Sequence, residues 1–197
     1  VEIADRIKKV GEVCLSIADN GIGLPKYIIR LFEPYVTIRK EGTGLGLSIV
    51  KKIIEDEKLG KIVSANILCW LYKHKKYFNE KWRVSDGGGP LGINLVHDID
   101  MICYLLGPVK YVHAFKSNNI RKFKVEDTAS VNLFFKSGTL CTLNVSDTIT
   151  SPWSYELTAG ENPAYPITDQ SSYFIGGTRG SVQFPNLKLW YYKKERS

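Results

Sequence analysis

Asn94, His97, Asp98 and Asp100 place four hydrogen-bonding or titratable side chains within seven residues. Asn94 and His97 are three apart, so on a helix they share a side. A His titrates near neutral pH and can act as a general acid or base toward a hydroxyl. The same spacing also suits a hydrogen-bonded His at a helix–sheet margin. A second group is rich in glycine: Gly42-Thr43-Gly44-Leu45-Gly46 runs straight into Leu47-Ser48-Ile49-Val50-Lys51-Lys52-Ile53-Ile54, which has a helical pattern. A glycine loop opening a helix offers backbone N–H groups and the positive dipole end to a phosphate. It is not a Walker A loop, because no Gly-Lys-Ser/Thr follows, and the third glycine of a dinucleotide fingerprint falls on Leu47. Cys14, Cys69, Cys103 and Cys141 are far apart and sit among apolar neighbours. They read as reduced, mostly buried thiols and not as a zinc site or a disulfide framework.

The elements that must carry these groups follow from periodicity. Val13 to Ile17 is a short β-type run ending at the turn signal Asp19-Asn20-Gly21. Tyr27, Ile28, Leu31 and Phe32 recur at helical spacing until Pro34. A helix is expected over about 44–55. Leu59 to Leu68 begins a strand, and a basic, aromatic loop follows it. Leu91, Leu95, Val96, Ile99, Ile102, Cys103 and Leu106 form the stripe of a helix over about 90–106, with Gly107-Pro108 as its stop. The remainder reads as a meander: Val109–Phe115, Ala129–Phe135, Leu140–Val145, Trp153–Thr158, and a hairpin of Gly180–Phe184 with Leu187–Tyr192.

The chain has 197 residues and a net charge of +7. Residues 1–57 hold nine basic and nine acidic residues; residues 58–197 hold eighteen against eleven and carry the whole excess. Such asymmetry separates units of different origin. The basic clusters around 73–76, 81–83, 121–124 and 193–196 suit a nucleic-acid surface or, more commonly, a solvated basic face. No run of eighteen apolar residues exists, so no membrane span is expected. The N-terminus has no basic region followed by an apolar run, so no signal peptide is expected either, and the location expected is cytoplasmic. The first residue is not Met, which is the start expected of a segment of a longer chain.

Three boxes in residues 1–57 occur in a telling order: Asp19-Asn20-Gly21-Ile22-Gly23-Leu24-Pro25, Leu31-Phe32-Glu33-Pro34-Tyr35, and Gly42-Thr43-Gly44-Leu45-Gly46-Leu47-Ser48-Ile49-Val50. Together they closely resemble the C-terminal part of the ATP-binding domain of sensor histidine kinases, a Bergerat-type ATPase of two-component systems. The resemblance implies that Asp19 accepts from the adenine amino group and that Gly21 and Gly23 let the backbone approach the base. Phe32 matches the lid aromatic, and Gly42, Gly44 and Gly46 match the phosphate-side loop. The family's metal-holding Asn has no counterpart here, so ATP–Mg binding is expected to be weak.

A second resemblance covers residues 58–197. Gly87-Gly88-Gly89-Pro90-Leu91, Asn94-Leu95-Val96-His97-Asp98-Ile99-Asp100 and Tyr104-Leu105-Leu106-Gly107-Pro108 look like the C-terminal domain of the Gfo/Idh/MocA oxidoreductases. Glu126-Asp127-Thr128-Ala129, Lys136-Ser137-Gly138-Thr139 and Gly176-Gly177-Thr178-Arg179-Gly180 fit as well. The resemblance implies an NAD(P)-dependent sugar or polyol dehydrogenase ancestry, with a sheet that covers the substrate and makes oligomer contacts. His97 matches the family's proton-exchanging His. The Asp found four residues before it in many members is Ile93 here, and Asn94 orients a hydroxyl without taking its proton. Lys75, Tyr77 and Trp82, on a loop that more commonly reads as a basic surface, and Asp98 on the helix are the substrate-side candidates. No residue matches the family's NAD-binding half.

The expectation is therefore an α+β fold: a mostly antiparallel open sheet with one main packed helix over 58–197, preceded by a partial α/β ATPase-like sandwich fragment over 1–57. The function expected is that of two truncated modules fused near residues 56–59. The dominant one is an oxidoreductase-type substrate-binding and oligomerisation domain, inactive alone, taking a small sugar-like ligand. The alternatives are a nucleotide-binding signalling protein and, less favoured, a nucleic-acid binder. Self-association through the sheet is expected because Leu133-Phe134-Phe135 and Leu189-Trp190-Tyr191-Tyr192 are apolar at both parities.

Overall fold

Alternation of small or polar with apolar residues over Ile62–Trp70 buries Ala65, Ile67 and Cys69 on one side and leaves Ser64 and Asn66 exposed on the other. This strand, β3, is the middle of a seven-stranded sheet in the computed structural model, which describes residues 2–9, 12–18, 46–160 and 163–191. The other strands are β4 (Val109–Ser117), β5 (Thr128–Phe135), β6 (Leu140–Ser146), β7 (Tyr173–Gly177), β8 (Gly180–Phe184) and β9 (Lys188–Tyr191). The spatial order is β4-β5-β6-β3-β7-β8-β9. All neighbours are antiparallel except β3 and β6, which run parallel from Ser64 opposite Leu140 to Trp70 opposite Ser146. The sheet is thus mixed, a correction to the mostly antiparallel expectation. A meander can only add strands at an edge, whereas β3 enters from the start of the unit and pairs in the centre.

Two further strands, β1 (Glu2–Lys9) and β2 (Glu12–Ala18), pair with each other as a two-stranded antiparallel ribbon. The run at Val13–Ile17 falls within β2, and β1 is an addition to the sequence reading. The expected helix near Lys26–Phe32 lies outside the described residues.

One face of the large sheet is covered by α1 (Gly46–Glu55) and α2 (Val96–Leu106). Val50 of α1 is completely buried in the same core as Leu95, Ile102, Leu143 and Tyr173. Lys51 Nζ donates to the carbonyl of Tyr104 at 2.9 Å, which ties α1 to the end of α2. The helix at the end of the kinase-like boxes therefore packs as part of the seven-stranded unit.

The stretch expected as one helix over 90–106 is divided. Leu91–Leu95 is a single π-helical turn, and regular α-helix begins at Val96. Gly107 ends it with φ of 89°, which favours glycine, and its N–H donates to the Cys103 carbonyl at 2.8 Å. Trp153–Thr158 is not a strand. Ser154 caps a short helix, α3 (Tyr155–Ala159), by accepting from the Leu157 N–H at 3.3 Å. The aromatic and β-branched residues of that segment mimic strand composition, but Ser154 followed by Glu156 in the first turn is a helix start.

The opposite face of the sheet has no helix across it among the described residues. A row of facing residues crosses all seven strands there: His113, Asn132, Thr142, Asn66, Phe174, Gln183 and Lys188. Asn66 Nδ2 donates to Thr142 Oγ1 at 2.5 Å, and Tyr111 stacks on Phe134 at 5.9 Å in the next row. No helix among the described residues is long and apolar enough to cross a membrane.

Candidate functional site

The groups with chemical potential lie at the N-terminal end of α2 and beneath it. Consecutive helical residues there have opposite fates. His97 is exposed, whereas Asp98 is 4% exposed and points into the core. Asp98 lies on the α2 stripe with Leu95, Ile102 and Leu105 and meets Tyr173 of β7, whose hydroxyl donates to Asp98 Oδ1. Tyr173 is itself fully buried, stacked on Phe184 at 4.5 Å. Cys69 completes this contact from β3, on the same side of the sheet as Tyr173.

Burial pushes the Asp98 carboxyl up to about 7, and the charge of Glu156 adds to the rise. The hydrogen bonds from Tyr173 and Cys69 oppose it. Burial also raises the Cys69 thiol and the Tyr173 phenol, with the Asp98 charge as the next cause. Glu156, on α3, accepts from Asn94 Nδ2 at 3.0 Å. A chain of polar groups thus links β3, β7, α2 and α3 under the helix that presents His97.

The start of this helix is held from two sides. Glu126 Oε1 accepts from the Leu91 N–H at 3.1 Å, a carboxylate at the positive end of the helix. Gly89 makes room for it: a Cβ there would lie 2.1 Å from the same oxygen. A Cβ at Gly88 would lie 2.3 Å from the Trp82 carbonyl oxygen, so the 3-10 turn Lys81–Val84 abuts the helix start. That turn carries Trp82, which is 54% exposed.

The other loop candidates are placed differently. Lys75 is exposed. Tyr77 is half-buried, with the Arg83 guanidinium at 4.0 Å and the Lys73 ammonium at 5.0 Å from its ring. Sequence reasoning missed Lys73, which is buried and donates to the Tyr165 hydroxyl at 2.9 Å. It also missed Arg121, whose Nε meets Asp147 Oδ1 at 2.5 Å and which stacks on Phe78 at 4.2 Å. Nothing in the 73–76 and 121–124 clusters signals that Lys73 and Arg121 turn inward. So of the substrate-side candidates, Lys75 and Trp82 face solvent, Tyr77 is clasped by cations, and Asp98 faces the core.

Asp19, Gly21, Gly23, Phe32, Gly42 and Gly44 lie outside the described residues; Gly46 is the first residue of α1. Among the described residues no group of His, Cys, Asp or Glu could hold a metal ion. Cys69, Cys103 and Cys141 are free thiols, and burial pushes Cys141 up to about 12.

A family model, described as the GFO/IDH/MocA C-terminal domain, matches residues 48–183, more than two thirds of the chain. The chain belongs to that family. Among solved structures, this GFO/IDH/MocA domain is similar to the WlbA dehydrogenase from Bordetella pertussis in complex with NADH and UDP-GlcNAcA. The TM-score is 0.60 with 23% identity, covering 77% of this chain and 44% of that one. An oxidoreductase from Thermotoga maritima gives 0.58 and 19%, covering 77% and 42%. These likenesses are of fold, and the chain spans less than half of each relative. Short stretches are similar to histidine kinases. The nitrogen regulation protein NtrY of Azorhizobium caulinodans is 58% identical over 50 residues, 24% of this chain and 6% of that protein. The sensor kinase ZraS of Salmonella typhimurium is 43% identical over 44 residues, 22% and 10% respectively.

The NADH bound to the WlbA dehydrogenase has no matching cradle in the glycine triplet of this domain. The space a phosphate would need beside Gly88 and Gly89 is filled by the Trp82 carbonyl and the Glu126 carboxylate. Two acceptors there repel a phosphate, so these glycines serve close packing.

Proposed function

We propose that this domain is the substrate-side and self-association half of an oxidoreductase acting on sugar- or polyol-type hydroxyls. The observation that carries the reading is the adjacency of His97 and Asp98. The Asp98–Tyr173 contact fixes α2 on the sheet, and that holds the His97 imidazole outward where a ligand hydroxyl can reach it. Trp82 and Lys75 stand on the neighbouring loop as an apolar plane and a cation for an acidic sugar. Asn94 is spent on Glu156 and acts as a positioning residue. The test is titration of the isotope-labelled protein with UDP-linked uronic acid, read by NMR. The His97 ring and Trp82 indole signals should move, and His97→Ala should weaken binding without changing the melting temperature. Unmoved signals at millimolar ligand would refute the reading.

The same reading includes association of two copies through the uncovered sheet face. Its support is the row of amides, hydroxyls and aromatics that carries no carboxylate, so a second copy meets no like charge along most of it. A second reading attaches to residues 1–57 and is carried by the histidine-kinase similarity. It makes them the remnant of an ATP site joined to the sheet domain near the end of α1, with Asp19 facing adenine. Fluorescent ATP should then bind weakly, and Asp19→Asn should abolish that binding.

A further inference from the structure

The geometry points to the free edge of β4 as a docking site for an extended acidic peptide segment of another protein, added to the sheet as an eighth strand. β4 ends the strand order, with β5 on one side and, among the described residues, no strand on the other. It is nine residues long, whereas the opposite edge, β9, has four. Edge strands expose unpaired N–H and C=O groups, and natural proteins shorten, bulge or cover them. Here the register is regular from Tyr111 to Ser117, and both sides of the strand are open. Tyr111 and Phe115 are 57% and 69% exposed on one side, and Val112 is 58% exposed on the other. A long, regular, uncovered edge is what strand addition requires.

Charge selects the occupant. Residues 107–125 contain Lys110, Lys116, Lys122 and Lys124, with His113 and an Arg121 already paired to Asp147, and no Asp or Glu. Lys116 lies on the same side of β4 as Val112 and Ala114, and Lys110 sits where the register slips between Val109 and Tyr111, its ammonium 5.1 Å from the Tyr111 ring. A second copy of this chain is disfavoured at this edge. Antiparallel pairing centred on His113 would bring Lys110 of one copy to the level of Lys116 of the other, twice over. A nucleic acid has no backbone donors and acceptors spaced to match a strand edge. The complementary partner is a strand with one carboxylate on the side that meets Lys116 and a second six residues away, level with Lys110. Its other side carries β-branched residues against Tyr111, His113 and Phe115.

The probe is a blocked, fluorescein-labelled heptapeptide, Glu-Val-Thr-Val-Thr-Val-Glu, beside a twin with Lys at both ends. At low salt the acidic peptide should bind about tenfold or more tighter than its twin. It should also slow amide exchange across residues 110–116. The double variant Lys110→Glu with Lys116→Glu should reverse the preference, which also shows that the variant is folded. Equal binding of the two peptides overturns the proposal. So does binding that leaves exchange at 110–116 unchanged, or displacement of the peptide by oligothymidylate.

Discussion

Asp98 is the residue whose protonation the fold feels most directly. Its carboxyl titrates near 3.8 when unfolded and is raised to about 7 under α2. Between these values the folded protein binds the extra proton, so stability falls as pH rises through that window. Below about pH 4 both states are protonated and the penalty is absent; above about pH 7 it is complete. Asp147 is raised in the same direction, by burial against the pull of Arg121, and adds to the slope. Urea midpoints measured from pH 4 to pH 7.5 should decline for the wild type and flatten for Asp98→Asn. The difference at the upper end should be a few kcal/mol, on the order of two to three pKa units of linkage. A parallel decline in both proteins would assign the slope to other groups.

Two elements carry predictions of their own. Ahead of the π turn that leads into α2, Gly88→Ala should cost about 2 kcal/mol or more, because its Cβ meets backbone of the preceding turn. Gly89→Ala should cost about 1 kcal/mol, because the Glu126 carboxylate can swing away and only a cap is lost. Equal costs in denaturant titrations would contradict this account. In α1, Val50→Ala should lower the stability of the whole sheet unit by about 2 kcal/mol in one transition, since Val50 is enclosed by the common core. The legibility of the sequence varied with the same physics. The stripe of α2 and its Gly107 stop were readable because helical burial repeats every 3.6 residues, whereas Asp98, read as a substrate-side group, is buried on the side that also carries Leu95, Ile102 and Leu105. β7 passed unseen because it is a five-residue strand, Tyr173–Gly177, between a loop and a glycine turn. α3 passed as a strand because Trp, Tyr and Thr outweighed a single cap. The parallel pairing of β3 with β6 leaves no local mark at all, since which strand becomes a neighbour is decided by burial across the sheet. Lys73 and Arg121 turn inward through partners distant in sequence, Tyr165 and Asp147, which no local pattern announces.

Across the whole molecule, the two surfaces proposed for contact differ in their response to salt. The uncovered sheet face is nearly uncharged, so a dimer formed there should persist when ionic strength rises from about 0.05 to 0.5 M. Sedimentation at micromolar protein should show that dimer, and Asn66→Lys, in the centre of the face, should convert it to monomer. The β4 edge depends on lysines, so peptide affinity there should fall over the same range. A dimer that dissolves in salt would move the interface from the neutral face to a charged one.

The central place of β3 also sets the order in which the sheet can be built. Its neighbours, β6 and β7, begin at Leu140 and Tyr173, long after β3 ends at Trp70. At a synthesis rate of about 5–20 residues per second, β3 emerges several seconds before either neighbour exists. During that interval Ile67, Leu68, Cys69, Trp70 and Leu71 are an apolar ribbon with no partner, in a chain whose long-range pairings are slow to close. Among the described residues α1 is the one core element already made, and its apolar stripe is available to shelter that ribbon. A nascent chain stalled between residues 75 and 135 is therefore the species of this protein most in need of a chaperone.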